Sequence, residues 1–176
     1  MRRALALAVT TATLLALWGG TAQANPFPAT LLADSSLHTY CLTAGFDVDP
    51  SVGTYAMNVL DSTTDMTVAE QNCLASTDVW WWEQNLPGTI RGEWQCITLV
   101  AAGTCNSSDI RLDYPQLDVG INDWYDRRKT AVHEVGHSVG LGHDAISAMI
   151  SGEVPSIALV WRRYSPHDIG HLNANY

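Results

Sequence analysis

Residues 133–143 read His-Glu-Val-Gly-His-Ser-Val-Gly-Leu-Gly-His, and this stretch restricts the fold of the chain more than any other. Residues four apart on an α-helix share a face, about one turn above each other. His133 and His137 can therefore aim imidazole nitrogens at one point if the segment is helical. Ala131, Val132, Val135 and Val139 form an apolar stripe on the same segment. They predict a helix that starts near Asn122 or Asp123, takes negative charge into its first turn from Asp126, and packs its stripe on a sheet. Gly140 ends that helix, because glycine accepts the left-handed conformation without a Cβ clash. The turn brings His143 back from outside the helix as a third ligand. Glu134 lies about 100° around the helix from His133 and is free to reach a water at the fourth position. Three protein ligands with one position open is the arrangement of a catalytic zinc rather than a structural one.

Such a site predicts hydrolysis. Zinc lowers the pKa of its bound water from about 15.7 toward about 7 and polarises a carbonyl. Glu134, as general base, accepts the water proton and passes it to the leaving amine. The segment resembles the long zinc signature of the metzincin metalloproteases, and Ala148-Met149-Ile150 resembles the methionine turn that follows the third histidine in that family. The resemblance implies an α+β, metzincin-like zincin domain with a small twisted mixed sheet, an active-site helix and a C-terminal helix. It implies His133, His137 and His143 as ligands of one Zn2+, Glu134 as the catalytic residue, and Met149 as a floor beneath the metal.

Within that family the chain is most similar to the matrixins and to small secreted actinobacterial members, over roughly residues 108–176. Ser108-Asp109-Ile110-Arg111-Leu112 looks like the sheet-edge strand that holds extended substrates, and Tyr164 to Ile169 resembles the start of the C-terminal helix. By the same analogy, residues 150–163 wall the pocket for the residue after the scissile bond. Asp144 follows the third histidine where matrixins usually carry serine. It is expected to support the ligands from behind by bonding the methionine-turn backbone. Ser151 stands where an astacin-like tyrosine ligand would be, and the matrixin prodomain cysteine motif is absent. His38 is the lone histidine of the N-terminal half, so a second, structural zinc is not expected.

The N-terminus sets the compartment. Arg2 and Arg3 precede an apolar run from Ala4 to Trp18, and Ala22-Gln23-Ala24 is a small-x-small cleavage site. This is the layout of a secretory signal peptide over residues 1–24; the run is too short for a comfortable membrane span. An arm over 25–36, with Pro26 and Pro28, leads to a catalytic domain over 37–176. Four cysteines in an exported chain read as two disulfides. Cys96 and Cys105 flank a hairpin tip at residues 101–104 and are expected to pair, leaving Cys41 with Cys73. A formal charge of −9 excludes general electrostatic binding to nucleic acid or to an anionic membrane. A secreted, extracellular monomer acting on a protein or peptide substrate is expected.

The remaining periodicities predict a helix from Asp49-Pro50-Ser51 to about residue 60. They predict strands over 77–82, 94–100 and 109–114, and a final helix capped by Ser165 with Pro166 in its first turn. One helix is expected on the sheet, above a helical lower part. Strand alternation places Trp80 and Trp82 on one face and Trp81 on the other. His167 and His171 are four apart on a helix but lack a third ligand, and read as surface residues. Asp109, Asp113, Asp118 and Asp123 could hold Ca2+, but their spacing matches no calcium loop and a solvated acidic surface accounts for them equally. A reading from another class is a non-catalytic secreted binding module in which zinc only clips the fold. Glu134 argues against it, since a structural site needs no base.

Overall fold

Which side of each strand carries bulk decides where the core lies. In the computed structural model, which describes residues 31–176, strand β4 (Val79–Glu83) buries Val79 and Trp81 completely. Trp80 and Trp82 project from the opposite face, half-buried, with their rings 6.3 Å apart and within 10° of parallel. Strand β6 (Thr104–Leu112) continues the pattern: Ile110 and Leu112 point inward, Asp109 and Arg111 outward. The expected signal peptide over 1–24 and the first part of the expected arm over 25–36 lie outside the described residues.

These strands belong to one mixed sheet. β2 (Leu37–Leu42), β3 (Thr67–Glu70), β4 and β6 run parallel in the order β3-β2-β4-β6. β1 (Leu32–Ala33), from the expected arm, lies parallel to the first residues of β6. β5 (Gly92–Ala101) returns antiparallel along the far side of β6. The fold is α+β, as expected, with a small mixed sheet and a C-terminal helix. One expectation is corrected: residues 108–112 do not form the sheet edge. The β5–β6 hairpin, which turns at Ala102-Gly103, lays β5 over that side, so β5 is the edge strand.

Two helices, where one was expected, cover the buried face. Helix α1 (Ser51–Thr63) buries Val52, Ala56, Met57, Val59 and Leu60. A Cβ on Gly53 would lie 2.9 Å from Leu42 Cδ2 and 3.2 Å from the Trp81 ring, so α1 rests directly on that indole. A fully buried tryptophan removes some 150–250 Å² from water, on the order of 4–6 kcal/mol before entropy is charged against it. Trp81 is accordingly a main anchor of the sheet on its helices. Helix α2 (Tyr114–Leu117) is one turn, capped by Asp113. Continuing the alternation of β6, with Asp109 and Arg111 outward, would turn that side chain outward, yet it is 2% exposed: it accepts from the amides of Gln116 (3.0 Å) and Leu86 (2.6 Å). Helix α3 (Asp123–Ser138) lacks a side-chain cap bond from Asn122 and has Asp123 and Asp126 in its first turn. Helix α4 (Pro166–Asn175) starts with a capping box between Ser165 and Asp168.

His38, on β2, is 2% exposed and lies under the end of α3. The Ser138 hydroxyl donates to Val135 O, so its oxygen accepts from His38 Nε2, at 3.0 Å. The Asp78 carboxylate, 4.0 Å from Nδ1, is taken up by the Thr39 amide and hydroxyl. Burial outweighs the attraction of Asp34 and pushes the His38 imidazole down to about 4.

Two predictions follow from these contacts. Both expected disulfides, Cys41–Cys73 and Cys96–Cys105, are present, with sequence separations of 32 and 9. In the chain-entropy account the longer loop contributes about 3–4 kcal/mol and the shorter about 2–3 kcal/mol. Urea unfolding of the two paired Cys→Ala variants should show the larger drop in midpoint for Cys41/Cys73. For His38, the unfolded imidazole titrates near 6.5 and the folded one near 4. Stability is therefore full above about pH 6.5 and falls as the pH drops toward 4, by up to about 3 kcal/mol from this residue. A His38→Gln protein, unfolded in urea across the same range, should show a correspondingly shallower acid loss.

Candidate metal centre and cleft

Helix α3 carries His133, Glu134 and His137, and its end is built to reverse the chain. The Gly140 amide bonds His137 O at 3.2 Å and the Leu141 amide bonds Gly136 O at 2.9 Å, the paired bonds of a Schellman ending. Gly140 sits at φ 92°, and a Cβ there would also meet Leu32 Cδ2 of β1 at 2.8 Å. Glycine is needed on both counts. Three residues later His143 stands at the exposed rim, its ring centroid 5.0 Å from that of His133 and 5.1 Å from that of His137.

The ligand-capable nitrogens of these three histidines all lie within 4.8 Å of one another, and they form the one such group of three among the described residues. Their protonation follows from their partners. His133 Nδ1 lies 2.9 Å from Ala148 O and His137 Nδ1 lies 2.8 Å from Leu141 O. A carbonyl only accepts, so both Nδ1 atoms carry the proton and both Nε2 atoms carry a lone pair. Those two Nε2 atoms are 3.0 Å apart. Two lone pairs aimed at each other call for a cation between them, and neutral imidazoles are the donor set a borderline metal takes. Burial keeps them neutral: it pushes His133 down to about 3 and lowers His137 and His143 as well. The group could hold a metal ion.

The segment after His143 supports α3 from below. Ser147, Ala148 and Met149 are fully buried. Met149 Sδ packs against Gly136, where a Cβ would lie 2.9 Å from Met149 Cε and 3.2 Å from the Tyr164 ring. Tyr164 donates its hydroxyl to Val132 O at 3.0 Å. Asp144 meets this turn through its amide, which donates to Met149 O at 3.1 Å. Its carboxylate accepts from the next residue's amide, Ala145 N, so the bond expected of the side chain is made by the backbone.

Glu134 is 5% exposed, and burial pushes its carboxyl up to about 8 against the opposing pull of Lys129 and a backbone hydrogen bond from Trp94. Gly92, at the start of β5, passes so close that a Cβ would lie 3.0 Å from Glu134 Oε1. A cleft of about 580 Å³ runs over this floor, with residues 89–94 on one lip and residues 151–153 on the other. Arg91 and Glu153 reach across it at 2.8 Å. The sequence reading missed Gly92, Trp94 and Lys129. The signal available for the first two was the hairpin tip at residues 101–104, which implies a second strand beside β6.

Three of the four aspartates weighed for Ca2+ are engaged elsewhere, while Asp123 sits in the first turn of α3. Asp109 accepts from Trp82 Nε1 and Arg111, Asp113 caps α2, and Asp118 pairs with Arg127. His167 and His171 lie half-buried on α4 and join no group of three metal-capable side chains among the described residues.

The Gly136–Met149 contact can be tested by a double-mutant cycle. Gly136→Ala should lose about 1–3 kcal/mol to overpacking, despite gaining about 1 kcal/mol of helix propensity. Met149→Ala should lose about 2–5 kcal/mol. The doubly substituted protein should lose clearly less than the sum, because the new methyl occupies vacated space. Strictly additive losses in urea unfolding would show that the contact does not carry the packing of this turn.

The sequence matches no family model and no curated protein. Among solved structures, that of myroilysin aligns with 68% of this chain at 16% identity and a TM-score of 0.42. The chain spans 58% of the length of that protein.

Proposed function

We propose that the chain is a secreted, zinc-dependent endopeptidase of the metzincin type. The observation that carries this reading is the pair of Nε2 lone pairs 3.0 Å apart on α3, with His143 beside them. The buried Glu134 carboxylate adjoins them at the floor of a cleft. A site that only clipped a fold together would have no use for a buried base facing a cleft, which disfavours the binding-module reading. His133, His137 and His143 hold the metal. The apolar exported N-terminus and the two disulfides support an oxidising, extracellular setting, and the protein acts there as a monomer on protein or peptide chains.

A zinc ion held by the three histidines supplies Lewis acidity, polarising a carbonyl oxygen and acidifying water. The remaining work belongs to the chain. β5 has β6 on one side and the cleft on the other. Apart from the Trp94 amide, which Glu134 takes, its outer backbone groups along residues 92–94 offer hydrogen bonds to an extended substrate, which binds as an added strand. Glu134 takes the proton from the attacking water and delivers it to the amine as the peptide bond breaks. The Trp94 amide keeps Glu134 aimed, and Gly92 leaves room for it. Ala148 O and Leu141 O hold the two helical imidazoles in the tautomer and orientation that ligation needs. Met149 keeps α3 seated on the turn that supplies one of those carbonyls.

The protein should bind about one zinc per chain and cleave quenched casein, and a zinc chelator should abolish cleavage. Glu134→Gln should retain the metal and lose turnover by roughly 100- to 10,000-fold. His133→Ala and His137→Ala should lose the metal itself. Metal analysis alongside the casein assay separates the two effects, and a Glu134→Gln protein that turns over like wild type would sink the role given to that residue.

A further inference from the structure

Lys129 has no part in the chemistry above, yet it lines the same cleft as His133 and Glu134. It lies one turn before His133 on α3 and is 7% exposed. Its Nζ donates to Ile150 O at 2.6 Å and to Gly152 O at 2.9 Å, which fixes it against the lip that follows the Met149 turn. An ammonium has three N–H donors, and two are spent here on neutral oxygens. Among the described residues no carboxylate forms an ion pair with it within 4.0 Å. Glu134 and Asp126 favour its charge from longer range, Arg91 opposes it, and burial dominates. A buried ammonium without a counter-charge is costly, and this one is held in the wall of a cleft in a chain of formal charge −9. The carboxylates that attract it are Glu134, which also accepts from the Trp94 amide, and Asp126, three residues before it on α3; neither reaches it as an ion pair.

We propose that Lys129 determines specificity by selecting substrates that carry a carboxylate close to the bond cleaved. This rests on the peptidase reading. Four residues of helix rise about 6 Å, and side chains on one face of an extended peptide repeat every 6–7 Å or so. A substrate lying along β5, with its reacting carbonyl over His133 and Glu134, brings a neighbouring side chain or a chain end to Lys129. The carboxylate takes the third N–H and supplies the missing counter-charge. It can be an Asp or Glu side chain, or the free C-terminus of a short peptide.

The test uses quenched peptides that differ by Glu against Gln at each of two positions on either side of the cleaved bond, and by a free against an amidated C-terminus. At one position Glu should raise kcat/KM at least tenfold over Gln. The ratio should fall to near one in Lys129→Met and survive in Lys129→Arg. If the effect follows the free C-terminus alone, the carboxylate is the peptide end. The wild-type ratio does not depend on whether Lys129→Met folds. Casein cleavage with equal rates for every Glu/Gln and free/amidated pair overturns the assignment and leaves the peptidase standing. If casein is not cleaved, the peptidase reading falls, and calorimetric titration of the same peptides decides the pocket. Carboxylate-dependent binding that is lost in Lys129→Met supports it, and equal binding overturns it.

Discussion

The contact on which the rest of the site depends is the seating of the Ser147–Met149 turn beneath α3. It has two parts at one place. Met149 fills the space that Gly136 leaves open, and Ala148 O receives the His133 Nδ1 proton. The first fixes the distance between turn and helix, and the second fixes which nitrogen of His133 faces the cleft. Neither works alone. A side chain at residue 136 would lift the turn and lengthen the bond to His133, while without the bond the imidazole would be free to rotate or change tautomer. The same turn holds Asp144 through a backbone bond, so the loop that carries His143 is anchored at both ends by one packed unit.

Around that unit the protein tolerates an unusual load of buried polar groups. His38, His133, Glu134 and Lys129 are each less than a tenth exposed, and burial moves each away from its ordinary titration range. Such groups subtract from stability, and the compensation lies elsewhere: in Trp81 under α1, in the apolar stripe of α3, and in two covalent cross-links. A site rich in buried ionisable groups is stable only on a frame with stability to spare.

Much of this was legible in the residues. The histidine spacing and Gly140 located α3 and its ending, because period and chirality act locally. The split of Trp80 and Trp82 from Trp81 followed from pleating alone. The two disulfide pairs could be read from the hairpin tip and by elimination. What escaped was non-local. Strands β2 and β3 are short and flank a helix, and their residues pair across 30 positions or so of sequence, where periodicity is silent. The edge position expected of residues 108–112 came from a resemblance, and the residues offer no check on it, because an alternating strand looks the same at an edge and one place in. Asp113 defied its alternation because a strand ended there and a cap began. Lys129 gave no signal at all, since what distinguishes it is burial against two carbonyls supplied by a distant loop.

β5 carries a consequence of its own. An open strand edge beside the cleft invites any extended chain, including the edge of another copy. The strand is regular from Gly92 to Cys96 and then loses register three times before Ala101. That broken outer half is where Ile97, Leu99 and Val100 are exposed. The irregularity confines the regular template to residues 92–96. A longer straight edge would let the molecules zip together, so the bulges limit how much of the edge a second copy could pair with.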